Sequence, residues 1–315
     1  MKAFFTHPVT ITLIKIIISA GLISGIIYYI DFQALYVSFL NADTFLLSIG
    51  ITLAILQLFV HFFRWRYLLR LVSKEITNQE VFTSLFVGFM AGFFTPAQIG
   101  EFAGRIASHP TVNRSHIIGI TFLDKVYWMI LTIVIGGTGL VVFMSVYMTE
   151  YWHPGYSIAA GTVIVLLTGL YLTPDYIKLV LQKLPERIRG HRYYEMIIVL
   201  EERFHNAQGR VLFGLTGLIY LFILVEYYFL AISFGPVPFT DVLMCGASVF
   251  FVKSIFLPIS FGDLGIRESA AVFFFERAGS TAAIAFNASI VMSFANIIIP
   301  NAIGAVMMLR LKRKQ

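Results

Sequence analysis

Charge is what this chain has least of. Only 13% of its 315 residues are Asp, Glu, Lys or Arg, and 58% are hydrophobic, whereas soluble domains average roughly 25% charged residues. So little polar material cannot cover a globule of this length, which excludes a soluble two-domain enzyme and points to one integral membrane domain over residues 1–315. Cysteine is nearly absent too. The single Cys245 rules out an internal disulfide and leaves the redox compartment unreadable, and the chain ends in Gln315 rather than a lipidated cysteine. None of the seven histidines has metal-site spacing, and no Ser/His/Asp cluster can be assembled. No metal, no cofactor and no catalytic residue are therefore expected, and the chain is not read as an enzyme. No separate basic domain is present to bind nucleic acid.

What is abundant is apolar sequence in long runs. Stretches near 9–30, 44–63, 117–146, 156–173, 211–234 and 281–309 are each about as long as a bilayer core requires, giving about six full spans. The first run continues past Ser19-Ala20-Gly21 to Ile30 and is interrupted by Lys15, so it reads as a retained span rather than a cleaved signal. Two runs are shorter, Val81 to Phe94 and Val242 to Leu257, and each ends next to a proline, Pro96 or Pro258. Such runs more often enter and return than cross.

The net charge of +6 is explained by topology. Lys2, the Arg64 to Lys74 group, Arg114, the Lys178 to Arg210 group and the Arg310 to Lys314 tail fall in one set of loops; the other set, around 31–43, 150–155 and 235–241, has no Lys or Arg, and only Arg277 sits near its side. Basic loops stay cytoplasmic, which places both termini inside; the plasma membrane is the expected location. Two re-entrant hairpins fit this; two further crossings would force the basic 174–210 loop outside. That loop, with Ile177, Leu184 and Ile188 among its basic residues, reads as amphipathic helices at an anionic surface or as a solvated, topology-setting face.

The two short runs share an ending. Pro96 is followed by Gly100-Glu101 and then Arg105; Pro258 is followed by Gly262-Asp263 and then Arg267. Both read Pro-x-x-x-Gly-acid-x-x-x-Arg, and each precedes a full span, which predicts duplicated halves of approximately 1–150 and 151–315. An odd number of crossings separates them, so the halves are inverted, as in transporters that build a midplane site from broken helices. Proline ends the inward leg, glycine permits the turn, and an acid four residues before arginine forms a helical ion pair. A helix start and an arginine fork both suit phosphate. Glu101–Arg105 and Asp263–Arg267 read equally well as pairs that only hold the hairpins in shape.

At these residues the chain resembles the flippase-like family typified by the transmembrane region of lysylphosphatidylglycerol synthase, the multiple peptide resistance factor. The likeness lies in Pro96 to Glu101, in Leu123-Asp124 opening the next span, and in Gly262-Asp263-Leu264-Gly265-Ile266-Arg267-Glu268, close to a Gly-Gly-x-Gly-x-Arg-Glu element. Two departures weaken transfer of a substrate: Gln98 stands where the family often has a basic residue, and Asp263 replaces the second glycine. The chain has no room for the aminoacyl-transferring domain, so the resemblance implies the lipid-translocating half alone, with glycolipid and polyprenyl-linked pathways among its associations.

Other intramembrane charges complete the candidate site. Asp124 and Lys125 are adjacent, so at most one is expected to face it, with Lys125 snorkelling to the interface. Glu226 lies mid-span without a polar neighbour, suiting a proton-titrating or headgroup-contacting group, or a protonated interhelical hydrogen bond. Lys253 could pair with it or bind phosphate. Asn287, Asn296 and Asn301 are expected to bond between helices, Pro300 to kink the last span, and Gly21/Gly25, Gly88/Gly92 and Gly100/Gly104 to pack helices closely.

The candidate substrate-binding set is therefore Glu101, Arg105, Asp124, Glu226, Lys253, Asp263, Arg267 and Glu268, with hairpin turns at Pro96, Gly100, Pro258, Gly262 and Gly265. The fold expected is all-α, a polytopic membrane bundle with two re-entrant hairpins in inverted repeats. The function expected is translocation of an anionic or aminoacylated phospholipid, or of a polyprenyl-phosphate glycolipid, by alternating access. The rival is a non-transporting partner that presents lipid to a separate lipid-modifying enzyme. Either role is compatible with a homo-oligomer.

Overall fold

The computed structural model describes residues 8–95, 98–172, 175, 204–256 and 263–312. Pro96, Pro258, Gly262 and residues 174 and 176–203 of the basic loop lie outside these residues. Among the described residues the protein is all helix. Helices α1 (Pro8–Ile30) and α2 (Phe32–Leu40) are bent by 83° at Asp31, which adopts φ 74° and caps α2 by accepting from the Gln33 N–H. Then come α3 (Thr44–Val72), α4 (Asn78–Phe93), α5 (Gly100–Ala107), α6 (Arg114–Leu131), a π-helical turn at Thr132–Gly136, α7 (Gly137–Tyr147) and α8 (Pro154–Leu172). The remainder is α9 (Asn206–Phe234), α10 (Phe239–Phe256), α11 (Ile266–Arg277), α12 (Ala282–Ser293), a second π turn at Phe294–Ile298 and α13 (Ile299–Lys312).

Five segments are long and apolar enough to cross a membrane: Thr44–Val72, Arg114–Tyr147, Asn206–Phe234, Phe239–Phe256 and Ala282–Leu311; the bent α1–α2 pair makes six if it is one span. This is a multi-pass membrane protein. One of the five, α10, is a run the sequence reads as too short to cross. It gains its length at its start, where the turn after Pro238 launches the helix at Phe239 with Asp241 in the first turn. Helix α4 stays at 16 residues, begun by a capping box between Thr77 and Glu80.

Helix boundaries recur along the chain. Helices α3 and α9 are each 29 residues long, starting at 44 and 206 and ending at 72 and 234, an offset of 162 at both ends. The π turns, 132–136 and 294–298, keep that offset, as do Glu101 and Asp263, and Arg105 and Arg267. Helices α3 and α9 lie side by side and run in opposite directions: the Asp43 N–H donates to the Ser233 carbonyl, Gly50 abuts Leu230, and Leu68 clusters with Leu212.

Each of α4–α5 and α10–α11 folds as an antiparallel hairpin. In the first, a Cβ on Gly100 would run into the Ala91 carbonyl and one on Gly104 would meet the Val87 carbonyl at 2.7 Å, while Gly88 and Gly92 on the facing leg accommodate Arg105 and Glu101. Glycines on both legs therefore let the backbones touch. Gly304 brings α13 equally close to Phe86 on the other side of α4, whereas Gly21 and Gly25 meet nothing. In the second hairpin Cys245 lies opposite Phe274, donating its S–H to that carbonyl at 3.5 Å. The apolar core is split accordingly, one cluster around Trp65, Leu85 and Ile120 and a larger one around Tyr227, Phe250 and Phe275.

Candidate functional site

The site begins on α3. Gln57, His61 and Arg64 fall at i, i+4 and i+7 and share one face. Arg64 is not a loop residue as its place in a basic cluster implies: α3 continues to Val72, and Arg64 is 3% exposed. Its guanidinium donates to the Asp124 carboxylate at 2.9 Å and to the Asp124 carbonyl at 2.6 Å. The other Asp124 oxygen receives Arg105 at 3.0 Å, Arg105 also pairs with Glu101 one turn earlier, and Glu101 pairs with Lys125. Lys125 finally donates to the Gln98 side-chain oxygen at 2.6 Å.

Five charges thus alternate in sign along one chain, Arg64, Asp124, Arg105, Glu101 and Lys125, with cations at both ends. Its middle member is sealed in: Arg105 is 1% exposed and lies over the Trp65 ring, 3.8 Å from the centroid, while the Trp65 indole N–H donates to Ser84. Two carboxylates at one guanidinium nitrogen and the indole face beneath offset much of its burial cost, while Nε and Nη1 are buried without a hydrogen-bond partner.

The second hairpin is wired differently. Lys253 pairs with Asp263 at 3.1 Å and lies 4.6 Å from the Phe250 ring centroid. Asp263 adopts φ 66° in the turn, and α11 begins only after Gly265, so the expected Asp263–Arg267 side-chain pair does not form; only the Arg267 N–H reaches back, to the Asp263 carbonyl at 3.2 Å. Arg267 instead donates to Ser293 and sits 3.7 Å from Glu268. Glu268 accepts from the Gly265 N–H at 2.7 Å and from Ser293 at 2.5 Å, closing the start of the helix. Gly265, at φ 85°, could not be otherwise, because a Cβ there would meet the Leu22 side chain at 2.8 Å.

Between the hairpins lies a cavity of about 210 Å³. Its polar wall is drawn from both halves: Arg64, Glu101, Asp124 and Lys125 on one side, Lys253, Asp263 and Arg267 on the other, with Asn296 and Asn301 from the last span. Of the residues expected there from sequence, five line it, namely Glu101, Asp124, Lys253, Asp263 and Arg267. Arg105, Glu226 and Glu268 stand behind the wall. The expectation that only one of Asp124 and Lys125 could face the site also fails, because the α5 leg reaches round to meet both. Lys253 pairs with Asp263, not with Glu226.

Gly100 acts by close approach, not by its turn, since the left-handed residue there is Gln98 at φ 58°, and Thr95 clasps the turn by accepting from the Gly100 N–H at 2.6 Å. Asn287 bonds to the Leu35 carbonyl as an interhelical group. Arg64, His61 and Gln57 are the site residues that sequence reasoning missed, and their common face was the available signal. Among the described residues no three His, Cys, Asp or Glu side chains are grouped to hold a metal ion. The wall therefore presents several ammonium and guanidinium donors interleaved with carboxylate and amide acceptors. That donor set suits a phosphate-bearing polar headgroup.

A family model described as Lysylphosphatidylglycerol synthase TM region matches residues 12–304. No curated protein and no solved structure gives a match.

Proposed function

The chain belongs to the lysylphosphatidylglycerol synthase transmembrane region family, and from that premise we propose that it translocates a phosphate-bearing lipid headgroup across the plasma membrane. The observation that carries the reading is one cavity with cations on both walls, Arg64 on α3 and Lys125 on α6 beside the first hairpin, and Lys253 and Arg267 on the second hairpin itself. The constant 162-residue offset and the opposed directions of α3 and α9 support inverted halves, which can expose one site to either side in turn. The basic loops orient both termini to the cytoplasm. The protein performs no covalent step in this reading; it holds the headgroup while the acyl or prenyl tail stays in lipid.

The test uses liposomes containing the full chain and, in turn, labelled phosphatidylglycerol, its aminoacylated form and a polyprenyl-phosphate glycolipid. Wild type is expected to move at least one headgroup, with Lys125→Gln and Lys253→Gln slower by about tenfold, the equivalent of one lost contact worth about 1.4 kcal/mol. Wild-type rates equal to those of protein-free liposomes for all three lipids would overturn it. Inert protein that co-purifies with a lipid-modifying enzyme would instead favour a lipid-presenting partner.

A further inference from the structure

Under the common offset, Glu226 on α9 occupies the position that Arg64 occupies on α3. The two are treated oppositely. Arg64 has Asp124, whereas Glu226 is fully buried and, among the described residues, has no cation within 4.0 Å. Both of its oxygens rely on one donor, the Asn296 amide nitrogen, at 2.8 and 2.9 Å, and the Asn296 side-chain oxygen is itself buried without a partner. Asn296 sits on the second π turn and lines the cavity, while Glu226 does not.

An ionised carboxylate in such a place, lacking a counter-charge, costs several kcal/mol. A protonated one resolves both defects. Its O–H supplies the donor that the Asn296 oxygen lacks, and a rotation of the amide gives an acid–amide pair with two hydrogen bonds in place of one shared nitrogen.

We propose that Glu226 is a proton-binding site that links proton uptake to entry of an anionic headgroup, with Asn296 connecting the carboxyl to the cavity. The proposal rests on the translocation reading above. The charged and titratable groups on the elements around it are His61 and Arg64 on α3, Asp124 and Lys125 on α6, Tyr227 on α9 itself, Cys245 and Lys253 on α10, and Arg267 and Glu268 on α11; the buried polar groups of α12, Asn287, Ser289 and Ser293, are neutral. With Glu226 protonated, the cations Arg64, Arg105, Lys125, Lys253 and Arg267 outnumber Glu101, Asp124, Asp263 and Glu268 by one; its ionisation cancels that surplus. An anionic headgroup and a proton on Glu226 therefore stabilise each other, and each raises the affinity for the other by the same factor.

The experiment reads the proton directly and the transport separately. Infrared spectra of the full chain in phosphatidylcholine bilayers, with and without phosphatidylglycerol, are expected to show a carboxylic-acid carbonyl band. The band should vanish in Glu226→Gln, shift in Asn296→Leu, and persist to higher pH when phosphatidylglycerol is present. In liposomes, phosphatidylglycerol movement should be about tenfold faster on the acid side of the transition, the scale set by one charge acting across a partly buried site, and independent of pH in Glu226→Gln. A wild type without the band at every pH, a band that survives Glu226→Gln, or a rate that follows sodium and not pH overturns the proposal. A band that titrates with phosphatidylglycerol while no lipid moves at any pH leaves the proton site standing and removes translocation.

Discussion

The two hairpins carry the same residue pattern and use it in contrasting ways. In the first, the acid–arginine pair is one link of a five-membered chain that ties α5 to α3 and α6, and glycines on both legs bring backbones into contact. In the second, the acid and the arginine part company: Asp263 goes to Lys253, and Arg267 goes to Ser293 beside Glu268. An extended ionic chain resists displacement of any one member, whereas small separate pairs can be rearranged singly. The charges of the first wall are therefore expected to be harder to displace than the Lys253–Asp263 pair of the second.

The sharpest way to break this contrast is to remove one acid from each half. Asp124→Asn leaves both Arg64 and Arg105 short of a counter-charge and is expected to cost about 3–5 kcal/mol. Asp263→Asn releases one lysine, itself 14% exposed, and is expected to cost about 1.5–3 kcal/mol. Thermal unfolding of the purified variants in detergent compares them, and equal losses would end the distinction between walls. Backbone contact gives the next largest effect. Gly104→Ala forces a methyl group against the Val87 carbonyl, at an expected cost of about 1–3 kcal/mol, while Gly246→Ala meets the edge of the Tyr227 ring at 3.0 Å and is expected to cost less than about 1 kcal/mol. Gly21→Ala meets nothing and is expected to change stability by under about 0.5 kcal/mol.

A further effect, the one that depends on pH, concerns the start of the first hairpin. Thr77→Ala removes the cap of α4 and is expected to cost about 1 kcal/mol. The backbone N–H and hydroxyl of Thr77 donate to Glu80 and hold its carboxyl below the usual glutamate range. A lowered acid contributes stability that is complete above the ordinary glutamate value and is lost as pH falls through the lowered one. The Thr77→Ala difference should therefore persist at neutral pH and shrink only under acid conditions, as unfolding measured across that range would show.

Much of this was legible from residue types alone. The scarcity of charge pointed to a helix bundle in a membrane, and the Glu101–Arg105 spacing produced the ion pair it predicted. What misled was assignment by rule. Counting Arg64 among loop charges obeyed the orientation bias of basic residues, but an acid sixty positions away made burial affordable, and pairwise compensation across elements leaves no local trace. Asp263 and Arg267 have the right spacing for a helical pair, yet Gly265 delays the helix beyond Asp263, and the same sequence pattern becomes a turn. The end of the first run at Ile30 was legible, but residues 32–40, read as loop, form the helix α2, turned by 83° at Asp31.

Two of the three tryptophans sit at successive depths behind the cavity surface. Trp128 lines it, tilted against His61, and Trp65 lies beneath Arg105 in the layer behind. Indole emission responds to nearby water and charge, so the protein contains its own optical gauge: quenching or shift from Trp128 registers what enters the cavity, and Trp65 registers whether the ionic layer behind it has moved. With Trp128→Phe or Trp65→Phe to separate the signals, occupancy and wall movement become two colours of one measurement, without any attached dye.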